Sequence, residues 1–317
     1  MAGMDLVGLD EVRRAAREIA GAVVRTPLLP SPWAEDLWLK PESLQPTGAF
    51  KLRGASYALS RLPPERRAGG VVTHSSGNHG RALAYAARMF QVPCTVVMPD
   101  RAAPHKVDAI RALGAEVVLV PVAERLARAE ALVAGRGLAM VPPFDHPDVI
   151  AGQGTVGLEI ADDMPEVDVV LVPVGGGGLA SGVASAVTAL RPGVRVVGVE
   201  PELAADARDS LAAGALRPWP VEQTYRTVAD GLRSRLSELT LAHLVRHLAG
   251  VVTVTEREIL DTTRAMLRQA RLVVEPSGAV AAAAYLHRCG ELPAGRTVAV
   301  VSGGNLDPAL LRDLARA

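Results

Sequence analysis

An amine that must attack a carbonyl has few places to reside in this chain. Of 34 basic residues only Lys40, Lys51 and Lys106 are lysines; the rest are arginines, which stay charged and cannot take over that role. Lys51 stands out among the three. It follows Pro46-Thr47-Gly48 in the segment SLQPTGAFKLRGA (43–55), ahead of a helical stretch with no acidic residue at its start. A lysine held at the positive end of a helix and partly withdrawn from water has its amine pKa lowered, which is the condition for imine formation. Alone, such a lysine reads more simply as a surface residue at a helix start. Its company changes that reading.

Two further segments are built to receive anions. SSGNHGRALAYAA (75–87) runs from a strand end into an Ala-rich helix, presenting backbone N–H groups, hydroxyls and an amide at a helix N-terminus. A substrate carboxylate suits it, and Asn78 could hydrogen-bond a phenolic oxygen on a cofactor ring. GGGGLASG (175–182) joins a buried strand to a helix, and its four glycines let the backbone wrap a phosphate without interference from side chains. The same segment admits another reading. Gly175, Gly177 and Ala180 satisfy G-x-G-x-x-[G/A], and Glu200 closes the next strand where a ribose-binding acid would sit, so an NAD-type oxidoreductase is the alternative from a different class. That alternative leaves Lys51 and SSGNHG without a role.

The elements that must position these residues follow from hydrophobic pattern. Leu9, Val12, Ala16, Ile19 and Val23 recur at helical spacing behind Asp10, a predicted N-cap. Beyond Pro27, Pro30 and Pro32, β-branched runs at 71–74, 94–99, 115–121, 167–174, 194–200 and 297–304 alternate with Ala-rich helical stretches. Near-continuous apolar strands separated by helices predict an α/β fold: two open, mostly parallel twisted sheets with helices on both faces. Polar turns follow three of the strands, SSGNHG, GGGG and SGGN (302–305), at the edge where open α/β sheets bind ligands. The first turn is expected in one sheet and the other two in a second. A smaller domain is expected over 53–145, inserted into a larger one made of 1–52 and 146–317.

Composition narrows the partners. With 317 residues, 49% of them hydrophobic, the chain can bury a large core. Acidic residues also number 34, so no basic field exists to hold nucleic acid or an anionic membrane surface. Cys94 and Cys289 are far apart and outside any metal spacing, so both read as small buried residues in a reducing compartment. The N-terminus lacks a signal-like apolar stretch and no run is long enough to span a membrane, so a cytoplasmic location is expected.

Taken together, residues 43–55, 74–80, 150–155 (IAGQGT), 172–182, 228–231 (VADG), 274–278 (VEPSG) and 301–307 (VSGGNLD) resemble the serine/threonine dehydratase and serine racemase family. That family uses pyridoxal 5′-phosphate (PLP) on the fold-type II, tryptophan synthase β-like scaffold. The resemblance implies that Lys51 is the Schiff-base lysine, Phe50 packs beside the cofactor ring and Asn78 bonds its 3′-oxygen. It further implies that Gly175, Gly176, Gly177 and Gly178 hold the phosphate, and that Ser302 faces the pyridine nitrogen. Ser75, Ser76, Gly77 and His79 match the loop that takes the substrate carboxylate, and in the racemase the position of Ser76 is the acid/base opposite the lysine. Glu200, the Ala204 carbonyl and Asp206 match the family's cation site, an all-oxygen set suited to Mg²⁺ or Ca²⁺.

The implied activity is that of an ammonia-lyase: L-threonine or L-serine loses water and yields a 2-oxo acid and ammonia. Serine racemisation, dehydration of 3-hydroxyaspartate or phenylserine, and β-replacement are the neighbouring activities. A PLP-holding protein without turnover is a further reading, against which intact Lys51 and Ser302 argue. The family is commonly homodimeric. Arg81 departs from it, standing where racemase relatives usually carry glutamine near a nucleotide effector site. Only about ten residues follow SGGNLD, so a C-terminal regulatory domain is not expected.

Overall fold

The computed structural model describes residues 5–75 and 77–316. A six-stranded sheet is formed by β1 (Leu29–Pro30), β2 (Leu37–Pro41), β7 (Val169–Pro173), β8 (Arg195–Pro201), β9 (Leu248–Val254) and β10 (Thr297–Val301), in the order β1-β2-β10-β7-β8-β9. All its pairings are parallel except β1 with β2. A four-stranded, wholly parallel sheet contains β3 (Val71–His74), β4 (Cys94–Pro99), β5 (Glu116–Val120) and β6 (Ala139–Met140), in the order β5-β4-β3-β6.

Period-two alternation explains why the central strands read as unbroken apolar runs. Val169, Leu171, Ala299 and Val301 enter one core cluster, while Val170, Val172, Val298 and Val300 enter the cluster on the opposite face. Both faces of β7 and β10 are covered by helices, so neither face needs polar residues. Every strand expected from sequence is present. β1, β2, β6 and β9 were not expected. Two of these have only two residues, β2 carries the charged Lys40 in mid-strand, and β9 is a partly exposed edge strand interrupted by Gly250.

The N-terminal helix, Leu9–Ile19, departs in detail from its sequence reading. Its N-cap is Gly8, whose N–H donates to Glu11 Oε2 (3.1 Å), so Asp10 lies inside the first turn. Ala15 is buried in place of Ala16, and Val23 falls beyond the helix end. Val12, Ala15 and Ile19 pack with Tyr57 and Ile150, and so brace the two helices described next.

Three helices cross at glycine contacts that fix the site's frame. The helix Lys51–Arg61 meets the helix Pro147–Asp163 so closely that a Cβ on Gly152 would lie 2.6 Å from the Gly54 Cα. The latter helix meets Gly178–Leu190 where a Cβ on Gly182 would lie 2.5 Å from Gly154 N. Side chains at these points would force the backbones apart. Both cysteines are free, but Cys289 is exposed, unlike its sequence reading, because it sits in the turn after the helix Pro276–Arg288. Among the described residues no helix is long and apolar enough to cross a membrane.

Candidate active site

The strand ends of both sheets converge on a cavity of about 180 Å³. Lys51 enters it from the first residue of its helix. Two stitches hold the preceding segment against the turn after β10: Phe50 N–H donates to Ser302 O (3.1 Å) and Gly304 N–H to Gly48 O (2.8 Å). Gly48 adopts φ +75°, a conformation open to glycine at little cost, and a Cβ there would collide with Asn305. The Lys51 amine donates to Pro143 O (2.7 Å) and lies 5.0 Å from the centre of the Phe50 ring. Burial lowers its pKa to about 8, so desolvation prepares it to act as a neutral amine.

The GGGG turn is made of bare backbone because nothing else fits. A Cβ on Gly176 would lie 2.5 Å from the Phe144 ring, one on Gly178 2.9 Å from Phe144 Cβ, and one on Gly175 2.9 Å from Leu232 Cα. Gly177 has φ +84° and serves as N-cap of the helix Gly178–Leu190. The first i→i−4 bond there runs from Ser181 N–H to Gly177 O, which leaves the N–H groups of Gly178, Leu179 and Ala180 ahead of the helical ladder. That arrangement is an anion site.

The turn after β3 is of the same kind but carries side chains. Ser75 Oγ accepts from Gly77 N–H (3.1 Å), and the first helical bond of Asn78–Met89 runs from Arg81 N–H to Gly77 O. Asn78 Nδ2 donates to Glu275 Oε1 (2.5 Å), leaving its second proton for another acceptor, while its Oδ1 accepts from Asn305 Nδ2 (2.7 Å). The His79 side chain is buried and bonds Val141 O through Nε2 (3.0 Å). Burial and the nearby Lys51 push its pKa down to about 3, so the ring is neutral, with Nε2 as the donor. His79 can therefore receive an anion only through its backbone N–H. Ser76 lies outside the described residues. Ser302 also lines the cavity, and its hydroxyl donates to Ser277 O at a long 3.3 Å, leaving it able to turn to a better acceptor.

Comparison with known proteins agrees with this geometry. Residues 19–303 match the pyridoxal-phosphate dependent enzyme family. The chain belongs to that family. It is 40% identical to an L-threonine ammonia-lyase of Thermotoga maritima, over 95% of this chain and 76% of the relative. To an L-threo-3-hydroxyaspartate ammonia-lyase of Saccharomyces cerevisiae it is 37% identical, over 94% and 93%. Among solved structures, maize serine racemase superimposes with a TM-score of 0.92 at 34% identity, over 98% of each chain. The fold is that of the fold-type II PLP enzymes.

The residues present fit this family's cofactor: a backbone cradle for a phosphate and a desolvated amine for an aldehyde open on one cavity. The dinucleotide alternative fares worse. Glu200 Oε1 accepts from Ala207 N–H (3.0 Å) and Oε2 from Arg208 N–H (2.8 Å), so Glu200 is turned to the start of the helix Asp206–Ala213, a role other than the one a ribose-binding acid would have.

The same engagement bears on the expected cation site. Among the described residues, no group of three or more His, Cys, Asp or Glu side chains could hold a metal ion. What the structure offers at 200–206 is two buried carboxyls and the buried Ala204. Burial raises Glu200 well above the usual carboxylate range and Asp206 to about 6.

Several cavity residues were not singled out from sequence as site residues. Phe144 and Pro143 lie in a Pro-rich loop with no motif. Glu275 is buried beside Asn78, and burial together with Asp230 raises its pKa to about 7. Lys106 Nζ donates to Asp230 Oδ2 (2.5 Å), and Arg125 Nη2 donates to Tyr225 OH (3.2 Å); each pair joins a segment near the small sheet to the 225–230 loop. VADG and VEPSG had entered only as parts of the resemblance, and Lys106 only as one of three lysines.

Proposed function

We propose that the chain is an ammonia-lyase that converts L-threonine or L-serine to a 2-oxo acid and ammonia by α,β-elimination of water. The observation that carries this reading is the Lys51 amine, near pKa 8 inside a cavity flanked by two helix N-termini. One N-terminus, bare at Gly175, Gly176, Gly177 and Gly178, would hold the cofactor phosphate. The other, at Ser75, Gly77 and the first N–H groups of Asn78–Met89, with Ser76 in the same loop, would hold the substrate carboxylate. Pyridoxal phosphate, when bound, delocalises the negative charge that proton loss leaves at the substrate Cα.

The chain's own residues do the rest. Lys51 would hold the cofactor through its aldehyde, and its neutral amine is the base that would take the Cα proton. Phe50 would pack beside the ring, and the second amide proton of Asn78 would be available to the ring's phenolic oxygen. Ser302 would offer the pyridine nitrogen a neutral hydroxyl in place of a carboxylate, which would favour elimination over transamination. We read 53–145 as the smaller domain, 1–52 with 146–317 as the larger, and the site as lying between them.

A second reading has a specific observation behind it. Arg125 and Lys106 both line the cavity, and among the described residues Arg125 has no carboxylate partner, its donors going to Tyr225 OH and Val122 O. With Lys106 paired to Asp230, the guanidinium of Arg125 is the cation that would favour a substrate with a negative group on its β-carbon, such as 3-hydroxyaspartate. Arg125→Met should then raise KM for 3-hydroxyaspartate by about tenfold while leaving threonine nearly unchanged; equal losses for both substrates would rule this reading out. Serine racemisation rests on Ser76, and chiral analysis of recovered serine tests it.

Two lesser expectations belong with this proposal. A homodimer is supported by Val24, Leu44 and Val273, exposed apolar residues on adjoining segments, and light scattering would test it. A Mg²⁺ or Ca²⁺ ion between Glu200, the Ala204 carbonyl and Asp206 is supported by two buried carboxyls that form no salt bridge among the described residues. Thermal melting with and without Ca²⁺ decides that point. Two free cysteines support a cytoplasmic setting, and the balanced charge supports a small amino acid as partner in place of nucleic acid or a membrane.

The central test is an absorbance spectrum of the purified protein supplied with PLP, before and after L-threonine or L-serine, with the 2-oxo acid assayed in the same tube. An imine band that responds to substrate, with oxo acid formed and both lost in Lys51→Ala, is expected. A band that survives Lys51→Ala would overturn the assignment.

A further inference from the structure

Two residues beyond Lys51, Arg53 is wholly buried and spends its entire guanidinium on a closed polar cluster. Nε and Nη2 donate to Glu42 Oε2 (2.7 Å) and Oε1 (2.8 Å), while Nη1 and Nη2 donate to Glu159 Oε1 (2.6 Å) and Oε2 (2.9 Å). Further bonds from Arg53 reach Thr155 Oγ1 (3.0 Å) and Val24 O (3.2 Å). Lys40, also fully buried, donates to Glu159 Oε2 (2.7 Å) and to Thr26 O (2.5 Å), and Thr26 Oγ1 closes the ring on Glu42 Oε1 (2.7 Å). Two cations thus face two carboxylates, and the cluster carries no net charge.

Buried ion clusters seldom add net stability over a well-packed apolar core, because desolvation offsets attraction. What they add is direction. A guanidinium held in two bidentate pairs cannot slide or rotate without breaking several bonds at once, whereas an apolar contact tolerates small shifts. The three anchors here are the strand β2 through Lys40, the turn after it through Glu42, and the helix Pro147–Asp163 through Glu159. All three belong to the large-sheet side, and Gly54 N–H adds a bond to Gln153 Oε1 (3.1 Å) on that helix. Glu42 and Glu159 meet at Arg53, in the first turn of the helix that begins with Lys51, while Lys40 braces Glu159 from β2.

We propose that Arg53, clamped by Glu42 and Glu159, is the positioning residue that fixes the Lys51 amine in the cavity. Arg53 touches no cavity surface and acts only through the backbone of its turn. This inference rests on Lys51 being the reactive amine.

The test uses the PLP-loaded enzyme and Arg53→Lys, which keeps the charge and loses the fork. Expected is an imine band of near wild-type amplitude, kcat lower by about 10²-fold, KM within a few-fold, and a slower single-turnover change of the band per bound cofactor. Leu132→Ala, in the small-sheet core away from the site, is the control for stability alone. It should lower the melting temperature and leave single-turnover rates unchanged. If Arg53→Lys behaves like this control, with a lower melting temperature and wild-type rates, the positioning role is wrong.

If Arg53→Lys does not fold, Glu159→Gln and Thr155→Val remove fewer bonds at the same guanidinium. Slowed single-turnover rates in these variants are expected, the larger effect in Glu159→Gln, and wild-type rates in both would overturn the proposal. Lys51→Ala separates this failure from that of the underlying reading. A band lost in Lys51→Ala alongside a fast Arg53→Lys sinks only the clamp, and a band retained in Lys51→Ala sinks the reading beneath it.

Discussion

The turns after β3 and β7 use one physical device in opposite ways. Each takes a parallel strand into a helix and leaves three backbone N–H groups ahead of the first helical bond. At 175–178 the device is stripped of side chains and wedged against Phe144 and Leu232. At 75–79 it carries the Ser75 hydroxyl, the Asn78 amide and the His79 imidazole, and the Asn78 side chain is tied to Glu275 and Asn305. A bare turn suits a group that stays bound. A furnished turn, whose partners sit on another element, suits a group that comes and goes, because its geometry can respond to occupancy.

If that contrast is right, the two turns fail differently. The largest effect is expected from Gly176→Ala, whose methyl meets the Phe144 ring: PLP affinity should fall by at least about 100-fold, with a stability loss of about 1–3 kcal/mol. Absorbance titration of the cofactor-free protein measures the first and thermal melting the second. Unchanged affinity would mean that the cradle is not at 175–178.

Asn78→Ala, in the furnished turn, should retain the cofactor yet lower kcat/KM by about 10- to 100-fold, since it strands the buried Glu275 carboxyl and removes a donor from the ring oxygen. Steady-state kinetics beside the absorbance spectrum tells the two turns apart. Cofactor loss equal to that of Gly176→Ala would erase the contrast.

The smallest effect concerns Glu275 itself. Its folded pKa, about 7, is raised above the usual carboxylate value, so the folded state binds more protons between about pH 4.5 and 7 and stability falls as pH rises through that window. Glu275→Gln, which can still accept from Asn78, should match the wild type at pH 5 and exceed it at pH 8 by about 1–2 kcal/mol. Melting curves across pH 5–8 measure this. Parallel curves for the two proteins would show that Glu275 ionises without penalty.

Much of this frame was legible because the buried strands are short, β-branched and apolar on both faces, as the alternation of Val169 to Val172 between two clusters requires. The glycines of the 175–178 turn announced themselves for the same kind of reason: a backbone packed this closely excludes every other residue. Less legible were features created only by folding. Pro143 and Phe144 form the floor beneath Lys51 and the wall beside Gly176, yet no spacing marks them. The role of Glu200 as a helix cap depends on a turn that brings Ala207 and Arg208 back to the strand end. The motif that places His79 in the carboxylate loop does not show where its ring goes, because the carbonyl of Val141, which captures it, lies 62 residues away.

The placement of the three lysines has a practical corollary. Lys40 is entirely enclosed, Lys106 is held in an ion pair with about a fifth of its side chain exposed, and only Lys51 offers a cavity-facing amine softened toward neutrality. A protein that must capture a free aldehyde therefore presents one receptive side-chain amine and little competing surface. Reactive sugars and other electrophilic metabolites find few lysines to glycate. Among the side chains, an amine-directed reagent used at mild alkalinity should act mainly at Lys51, and its uptake there, read by peptide mapping apart from the α-amino group, would report cofactor occupancy without any assay of turnover.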